Sequence, residues 1–338
     1  MKEITTLAID LAKRVFQLYG VDIHGVAVLQ RRVSRAQLLT LVAQIPRCRV
    51  VMEACGGAHY WAREIRALGH ETQLIASHYV KAFSRGQKND RNDAQAIACA
   101  ARQPDLPRVA IKSEEQQAVL TLHRIRERLL KERIQLTNQL HGLLGEFGIV
   151  LPRGISNLRR RIAMLLEEAR LPPLLQESLA DQLEHLKQIE RRLQTLTAQI
   201  EALAKASEPC QRLMRHRGVG PIIATAFVGE IADPSVFKNG RHASAWLGLV
   251  PRQHSSGDRE RLLGITKRGN TYLRKLLIQG ARSALLTAGR HKDPVSRWSL
   301  ALQERRGGNR AAVALANKMA RRLWATLRYE ANALPAIP

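Results

Sequence analysis

The order of short strand-like and helix-like segments in the first 110 residues constrains the fold more than any other feature of the chain. Three β-branched runs follow closely on one another, at residues 4–9, 15–21 and 26–33. The four residues 22–25, Asp-Ile-His-Gly, have the composition of a hairpin connection. The pattern therefore predicts three consecutive antiparallel strands.

Helices and strands alternate after the third run. Ser34 is predicted to cap a helix, and residues 49–54 form a buried-strand run that carries Glu53 near its end. A further helix and strand precede the helical stretch that leads to Asp90, which gives the order β-β-β-α-β-α-β-α. The first and fourth strands can be neighbours in a mixed sheet, so Asp10 and Glu53 are expected at one sheet edge.

Asp90 and Asp93 lie three residues apart in a short acidic interruption of a basic sequence. If a helix starts near Asp90, both carboxylates lie on one face of its first turn. One interpretation is a helix cap and a charge that complements the helix dipole. The other is a divalent-cation site, because Mg²⁺ prefers carboxylate oxygens.

Together with Asp10 and Glu53, the pair makes four carboxylates predicted to gather over one sheet edge. Such a group repels itself unless cations lie between its members. A group of carboxylates with cations between them is what a two-metal phosphodiester centre requires. The cap interpretation of Asp90 and Asp93 does not explain all four acids.

The net charge points to a polyanionic partner. The 338 residues include 54 Lys and Arg against 29 Asp and Glu, a formal charge of +25. Nucleic acid is the first candidate, and a membrane surface is the alternative. No apolar run approaches the roughly 18 residues of a spanning helix, and no signal peptide precedes Asp10, so no membrane association is expected.

The four cysteines favour a reduced, cytoplasmic protein. They have neither C-x-x-C spacing nor histidines at zinc-finger distances, so a structural zinc site is not expected. These residues are Cys48, Cys55, Cys99 and Cys210.

Long helices are predicted from residue 113 to residue 207. Ser113 with Gln116 has the spacing of a capping box. It opens a helix in which apolar residues recur at intervals of three, four and seven residues. A second helix carries a heptad seam, which predicts an antiparallel coiled-coil hairpin or a dimer arm. The seam residues are Leu186, Ile189, Leu193, Leu196, Ile200 and Leu203.

Two loops of the mainly helical region 208–325 carry candidate phosphate contacts. The turn with Gly218 and Gly220 resembles a helix-hairpin-helix turn, although an ordinary glycine-rich connection fits equally well. Ser256 precedes Gly257 in a basic loop, where a hydroxyl nucleophile would meet a phosphate and cations would stabilise the transition state. The flanking cations are Arg252, Arg259, Arg261, Lys267 and Arg268. From composition alone, Ser256 is more often a turn serine.

The motifs around Asp10, Glu53 and residues 88–94 resemble those of the DEDD insertion-sequence transposases, the family that includes the Piv-type DNA invertases and the bridge-RNA-guided recombinases. The region around Ser256 resembles the C-terminal transposase domain of that family, in which a catalytic serine precedes a glycine. Ser255 leaves an ambiguity of one residue, and Ser256 is favoured because it directly precedes Gly257.

The resemblance implies a multidomain α/β plus α protein. Its segments are an RNase H-like (RuvC-like) nuclease domain with a mixed sheet at 1–110, a helical coiled-coil arm at 113–207 and a C-terminal transposase domain at 208–325. It implies that Asp10, Glu53, Asp90 and Asp93 bind Mg²⁺, with Mn²⁺ as a substitute, and that Ser256 forms a phosphoserine-DNA intermediate. The expected partners are DNA, a structured guide RNA and further copies of the chain in a dimer or tetramer.

Two other functions remain open at this point. One is a RuvC-like structure-specific nuclease that hydrolyses DNA junctions with water. The other is a non-catalytic, nucleic-acid-binding architectural protein. In each case we expect a cytoplasmic protein of a bacterium or archaeon, associated with the nucleoid when it acts.

Overall fold

A computed structural model divides the chain into two compact units. The structure describes residues 3–84, 90–152, 154–168, 171–256, 259 and 261–329. The first unit comprises Met1–Glu114, Ile231–Trp246 and Arg328–Glu330, and the second comprises the remaining segments, Glu115–Glu230 and Leu247–Leu327 with Ala331–Pro338.

A six-stranded mixed sheet forms the centre of the first unit. Its strands are β1 (Thr6–Asp10), β2 (Val15–Val21), β3 (Ala27–Ser34), β4 (Arg49–Glu53), β5 (Glu71–Ile75) and β6 (Arg108–Val109). The spatial order is β3-β2-β1-β4-β5-β6, with β1, β4 and β5 parallel to one another and the other neighbours antiparallel. The predicted antiparallel trio and the pairing of the first and fourth strands are confirmed, and the mixed sheet is consistent with an RNase H-like fold.

Helices cover both faces of this sheet. They are α1 (Leu38–Ala43), α2 (Ala58–Ala67), α3 (Ser77–Val80) and α4 (Asp90–Ala101), with the later α10 (Gly240–Trp246) in the same unit. One core contains Leu7, Ile9 and Trp61 of α2, and the other contains Ala8, Val51 and the apolar side of α4. Alternate residues of one strand thus enter different cores, as strand geometry requires.

The predicted Ser34 cap is wrong. Ser34 is the last residue of β3, and α1 begins only at Leu38, after Gln37. The Ser34 hydroxyl instead donates a hydrogen bond of 2.8 Å to the Gln37 side-chain oxygen, which also accepts from the Ser34 backbone N–H. The serine therefore closes the turn between strand and helix rather than starting the helix.

The second unit is mainly helical. Its helices are α5 (Glu114–Glu146), α6 (Ile155–Glu167), α7 (Pro173–Ala206), α8 (Glu208–Met214), α9 (Pro221–Ile231), α11 (Thr271–Thr287), α12 (Pro294–Arg306) and α13 (Gly308–Tyr329). A two-stranded hairpin, β7 (Pro251–Gln253) and β8 (Leu262–Ile265), completes it. α5, α6 and α7 share one apolar core.

The buried stripe of α7 follows the predicted seam at Leu186, Ile189, Leu193 and Ile200 and departs from it at the last position. Leu203 is exposed, and the residue that follows it, Ala204, is fully buried. A straight helix has 3.6 residues per turn, so a strict seven-residue repeat drifts off the packing face. The coiled-coil arrangement of this region stays a prediction.

Among the described residues, no helix combines the length and apolar character needed to cross a membrane.

Candidate active site

Asp10 and Glu53 lie side by side at the carboxyl ends of two parallel strands. The register of β1 and β4 pairs the residue before Asp10 with the residue before Glu53. Because side chains alternate along a strand, both carboxylates point to the same face as Ala8 and Val51, the face that α4 covers. Both side chains are half-buried. The sheet thus brings together two acids that are 43 residues apart in the sequence.

The thiol of Cys55 lies in the electrostatic field of both acids. Burial raises the pKa of Cys55, and the negative charges of Glu53 and Asp10 raise it further. The Cys55 backbone N–H donates to the Glu53 carbonyl at 2.9 Å, which folds the chain back over the strand end. Gly57 then takes a left-handed conformation, with a φ of 88°, directly before α2.

α4 brings Asp93 to the same face of the sheet. It packs on β1, β2 and β4 and begins at Asp90, as predicted. Asp93 is half-buried and precedes the buried Ile97 by one helical turn, so it lies on the stripe that faces the sheet. The side chain of Asp90 and the preceding residues 85–89 lie outside the described residues.

The chemistry of these donors fits Mg²⁺, which takes hard carboxylate oxygens. Among the described side chains, no three His, Cys, Asp or Glu residues form a group that could hold a metal ion. What the structure gives is a neighbouring pair, Asp10 and Glu53, and a third acid on the helix that packs above them. The roles of all four acids as metal ligands stay a prediction.

Ser256 lies near the tip of the β7–β8 hairpin. The hairpin stem is closed by a backbone hydrogen bond of 2.9 Å from His254 to Arg261. Ser256 is paired with Arg259 across the tip, where the Arg259 N–H donates to the Ser256 carbonyl at 3.3 Å. Ser255 and Ser256 are both exposed, so both hydroxyls are accessible to a large substrate.

The five predicted cations of this region are distributed along the hairpin and over the segment that precedes α11. All five are exposed, and within the described residues none forms an ion pair. They are Arg252, Arg259, Arg261, Lys267 and Arg268. The tip also contains two acids, Asp258 and Glu260, which lie outside the described residues. The hairpin therefore presents an exposed serine hydroxyl on a mainly cationic surface.

The Gly218 turn connects α8 to α9, as the sequence predicts, and packing explains its first glycine. Gly218 has a φ of 80°, and a Cβ there would lie 2.4 Å from the carbonyl oxygen of Gly280 in α11. At Gly220 a Cβ would meet no atom within 4 Å. Close approach of two backbones thus accounts for Gly218 without a ligand, and phosphate contacts by the two glycines stay a prediction.

Two family profiles match the chain over the regions that hold these groups. The profile of a DEDD transposase matches residues 7–149, and the profile described as "Transposase IS116/IS110/IS902 family" matches residues 210–296. A protein of Pseudomonas aeruginosa named "Probable family 20 transposase" is 46% identical, over 97% of this chain and 98% of its own length. The chain belongs to the IS110/IS116/IS902 family of DEDD transposases.

Other relatives of the transposase carry the same kind of name. The "Transposase for insertion sequence element IS1111A" of Coxiella burnetii is 45% identical over 97% of this chain and 90% of its own length. The "Transposase for insertion sequence element IS1328" of Yersinia enterocolitica is 38% identical over 96% of this chain and 97% of its own length. The protein is accordingly a DNA-acting enzyme.

Sequence reasoning missed the residues that anchor the hairpin of the transposase. The buried Arg274 of α11 donates to the carbonyls of Leu247 and Arg268, at 3.0 and 3.1 Å, and so joins both ends of the hairpin segment. Burial lowers the pKa of Arg274. The Asn317 side chain donates to the Leu249 carbonyl at 3.1 Å. The sequence gives no signal for these contacts, because Arg274 resembles its exposed basic neighbours.

Gly248 allows the two ends of the hairpin to approach each other. It has a φ of 71°, and its carbonyl accepts from the Lys267 N–H at 3.1 Å. A Cβ at Gly248 would lie 2.0 Å from the Arg268 carbonyl oxygen. The backbone there has no freedom to move away, because Arg274 holds the same carbonyl.

Gly248→Ala is expected to lower the free energy of unfolding by about 3 kcal/mol, since it combines a backbone clash with a left-handed φ. Urea unfolding monitored by circular dichroism measures the change. Gly264→Ala is the matched control, because a Cβ at Gly264 of β8 meets no atom within 4 Å. Equal stability of the two variants would contradict the role of Gly248.

Proposed function

We propose that the transposase cleaves and rejoins the DNA of its insertion sequence through a covalent phosphoserine intermediate on Ser256. The observation that carries this proposal is an exposed serine near the tip of an anchored hairpin whose strands and base carry five exposed cations. An exposed hydroxyl suits a substrate as large as a DNA strand, and the cations suit a phosphodiester whose negative charge grows during attack.

The proposed step exchanges one phosphate ester for another. The Ser256 Oγ forms a bond to the scissile phosphorus, and its proton passes to solvent. The bond from phosphorus to one deoxyribose oxygen breaks, and that oxygen leaves as a hydroxyl. Attack by a deoxyribose hydroxyl of another strand reverses the step, restores the serine and joins the new strand without any energy source.

The acids of the first unit would hold Mg²⁺ or Mn²⁺. Asp10, Glu53, Asp90 and Asp93 are the proposed ligands, and the ions when bound supply Lewis-acid stabilisation of the attacking and leaving oxygens. The paired ends of β1 and β4 and the position of Asp93 on α4 support this assignment.

The separation of the two groups in the chain supports a proposal about assembly. The acids belong to the first unit and Ser256 to the second. We therefore propose that a RuvC-like domain and a serine domain of different protomers combine on DNA in a dimer or tetramer, with the helical segment 113–207 as the arm between protomers. The charge of +25 supports simultaneous binding of DNA and a structured guide RNA.

Hydrolysis by water is the second candidate. The acids at β1 and β4 lie in a unit of their own, which favours a RuvC-like nuclease that acts without Ser256. The two mechanisms differ in their products, since only the serine mechanism leaves protein attached to DNA.

A plasmid carrying the insertion sequence of this chain provides the test. With Mg²⁺, the unmutated enzyme is expected to yield labelled DNA that migrates slowly on a denaturing gel and returns to normal mobility after proteolysis. A chelator should abolish both the adduct and the cleavage. Cleavage that yields only protein-free ends would overturn the serine mechanism and support hydrolysis. Treatment of the enzyme with ribonuclease before the assay tests the guide RNA, whose requirement predicts loss of cleavage.

A further inference from the structure

A basic cavity of about 440 Å³ lies within the second unit, away from the serine hairpin in the sequence. Four segments line it: the turn after α8, the later part of α11, the start of α12 with the residue before it, and the middle of α13. Four cationic side chains face it, together with one carboxylate. They are Arg215, Arg217, Lys318 and Arg322, and the carboxylate is Asp293.

The single acid of the cavity is already fully bonded. Asp293 accepts from Arg217 at 2.7 Å, from the Ser296 hydroxyl at 2.7 Å, and from the backbone N–H groups of Val295 and Ser296. The pKa of Asp293 lies well below its usual range, mainly because of the hydrogen bond from the Ser296 side chain and also because of the Arg217 guanidinium. Asp293 thus caps α12 and fixes Arg217, and it neutralises only one of the four cations.

The other three cations have no acidic partner among the described residues. Arg215 and Arg322 are exposed on the rim, and Lys318 is half-buried, with its ammonium 4.4 Å from the ring centre of Trp298. Three cations held close together repel one another, and a bound anion relieves that repulsion. The cavity is therefore suited to a phosphate.

The remaining walls are mainly apolar, and their polar residues are His216, Ser296 and Ser299. Ala284, Val295, Leu315 and Met319 line the interior below the charged rim. The neighbouring His216 is fixed, because its Nε2 lies 2.8 Å from the Thr326 hydroxyl. A charged rim over an apolar interior matches a ligand with an anionic group at one end and a flat, weakly polar body at the other.

The geometry points to a site for one nucleotide of an unpaired nucleic-acid strand, with its phosphate on Arg215, Lys318 and Arg322 and its base against the apolar walls. The cavity volume accommodates a single nucleotide, and a base pair within a duplex cannot enter it without being unstacked. Unpaired strands arise wherever DNA is opened for strand exchange. The site does not depend on the serine chemistry, so either proposal can fail alone.

With this assignment, the predicted phosphate contact at the Gly218 turn is made by side chains and not by backbone N–H groups. Arg215, His216 and Arg217 of that turn line the cavity, while Gly218 packs against α11. The motif would then bind a phosphate through its arginines.

The test compares two double variants of the full-length protein. Arg215→Gln/Arg322→Gln removes two rim charges, and Arg305→Gln/Arg306→Gln removes two exposed charges at the end of α12, outside the cavity. Binding of a labelled single-stranded oligodeoxynucleotide is expected to weaken about tenfold in the first variant and about twofold in the second. The slope of log affinity against log salt should flatten by about 1.4 in the cavity variant alone, as expected for two lost phosphate contacts on a single strand.

Two further probes distinguish the occupants. A duplex of the same sequence should bind both variants alike, and an oligonucleotide with an abasic position in every second place should bind the unmutated protein more weakly than the intact strand. Single-stranded RNA of the same sequence identifies the source of the nucleotide, since a selective loss with RNA assigns the site to an RNA strand. Equal losses in the two double variants, or an equal loss with duplex, would overturn the proposal.

Discussion

Ser256→Ala is expected to abolish the covalent protein-DNA adduct and to slow strand cleavage by about a thousandfold or more, the scale on which loss of a nucleophile lowers turnover. The substitution removes one oxygen atom from an exposed side chain. It leaves the hairpin anchors at Gly248 and Arg274 untouched, so stability and DNA affinity should not change. The measurement is the plasmid assay on a denaturing gel, with unfolding and binding measured on the same preparation.

Ser255→Ala is the matched control for this variant. Ser255 is the neighbouring exposed serine. The Ser255→Ala variant should form the adduct and cleave DNA within about twofold of the unmutated rate, because the substitution lies on the surface and outside the reacting group. Loss of the adduct in Ser255→Ala with retention in Ser256→Ala would place the nucleophile one residue earlier. Normal cleavage in both variants would support water as the nucleophile.

The strand order and the acidic pair were accessible from the sequence because they follow from local rules. β-branched runs separated by short turns predict strands, and a carboxylate that follows a buried run predicts a polar strand end. Asp10 and Glu53 become neighbours once β1 and β4 pair in parallel, and the register confirms that pairing. The first turn of α4 was equally accessible, since Asp90 begins the helix.

The helical packing could not be predicted to the residue. The predicted seam buries Leu203, whereas the structure buries Ala204, one position later. A sequence repeat cannot decide between these positions, because the choice depends on the curvature of α7 and on the side chains of α5 and α6 that pack against it.

The hairpin anchor and the basic cavity were hidden for a different reason. Arg274 is buried and donates to two backbone carbonyls and to the Thr271 hydroxyl, and nothing in its neighbours distinguishes it from the exposed Lys275. The cavity collects residues of four segments that are up to about a hundred positions apart, such as Arg215 and Arg322. In a chain with 54 basic residues, no spacing rule selects these from the rest.

Asp10→Asn and Glu53→Gln are each expected to lower metal-dependent cleavage by about a thousandfold or more, because each removes a charged ligand from a centre that must hold a dication. DNA binding should stay within about twofold, since neither acid contributes attraction to phosphates. Asp93→Asn is expected to have the same effect. The plasmid assay, repeated with Mg²⁺ and Mn²⁺, measures the loss.

The decisive comparison is between the melting temperatures of these variants with and without Mn²⁺. A cation that binds the native state and not the unfolded chain raises the melting temperature, so Mn²⁺ should stabilise the unmutated transposase and the Ser256→Ala variant but not Asp10→Asn or Glu53→Gln. The melting temperature of each variant without metal is its own baseline, and the comparison rests on the shift that Mn²⁺ produces. Glu71→Gln is the control, since Glu71 is exposed at the opposite end of the neighbouring strand β5. An architectural protein without catalysis would show no effect of metal in any of these variants.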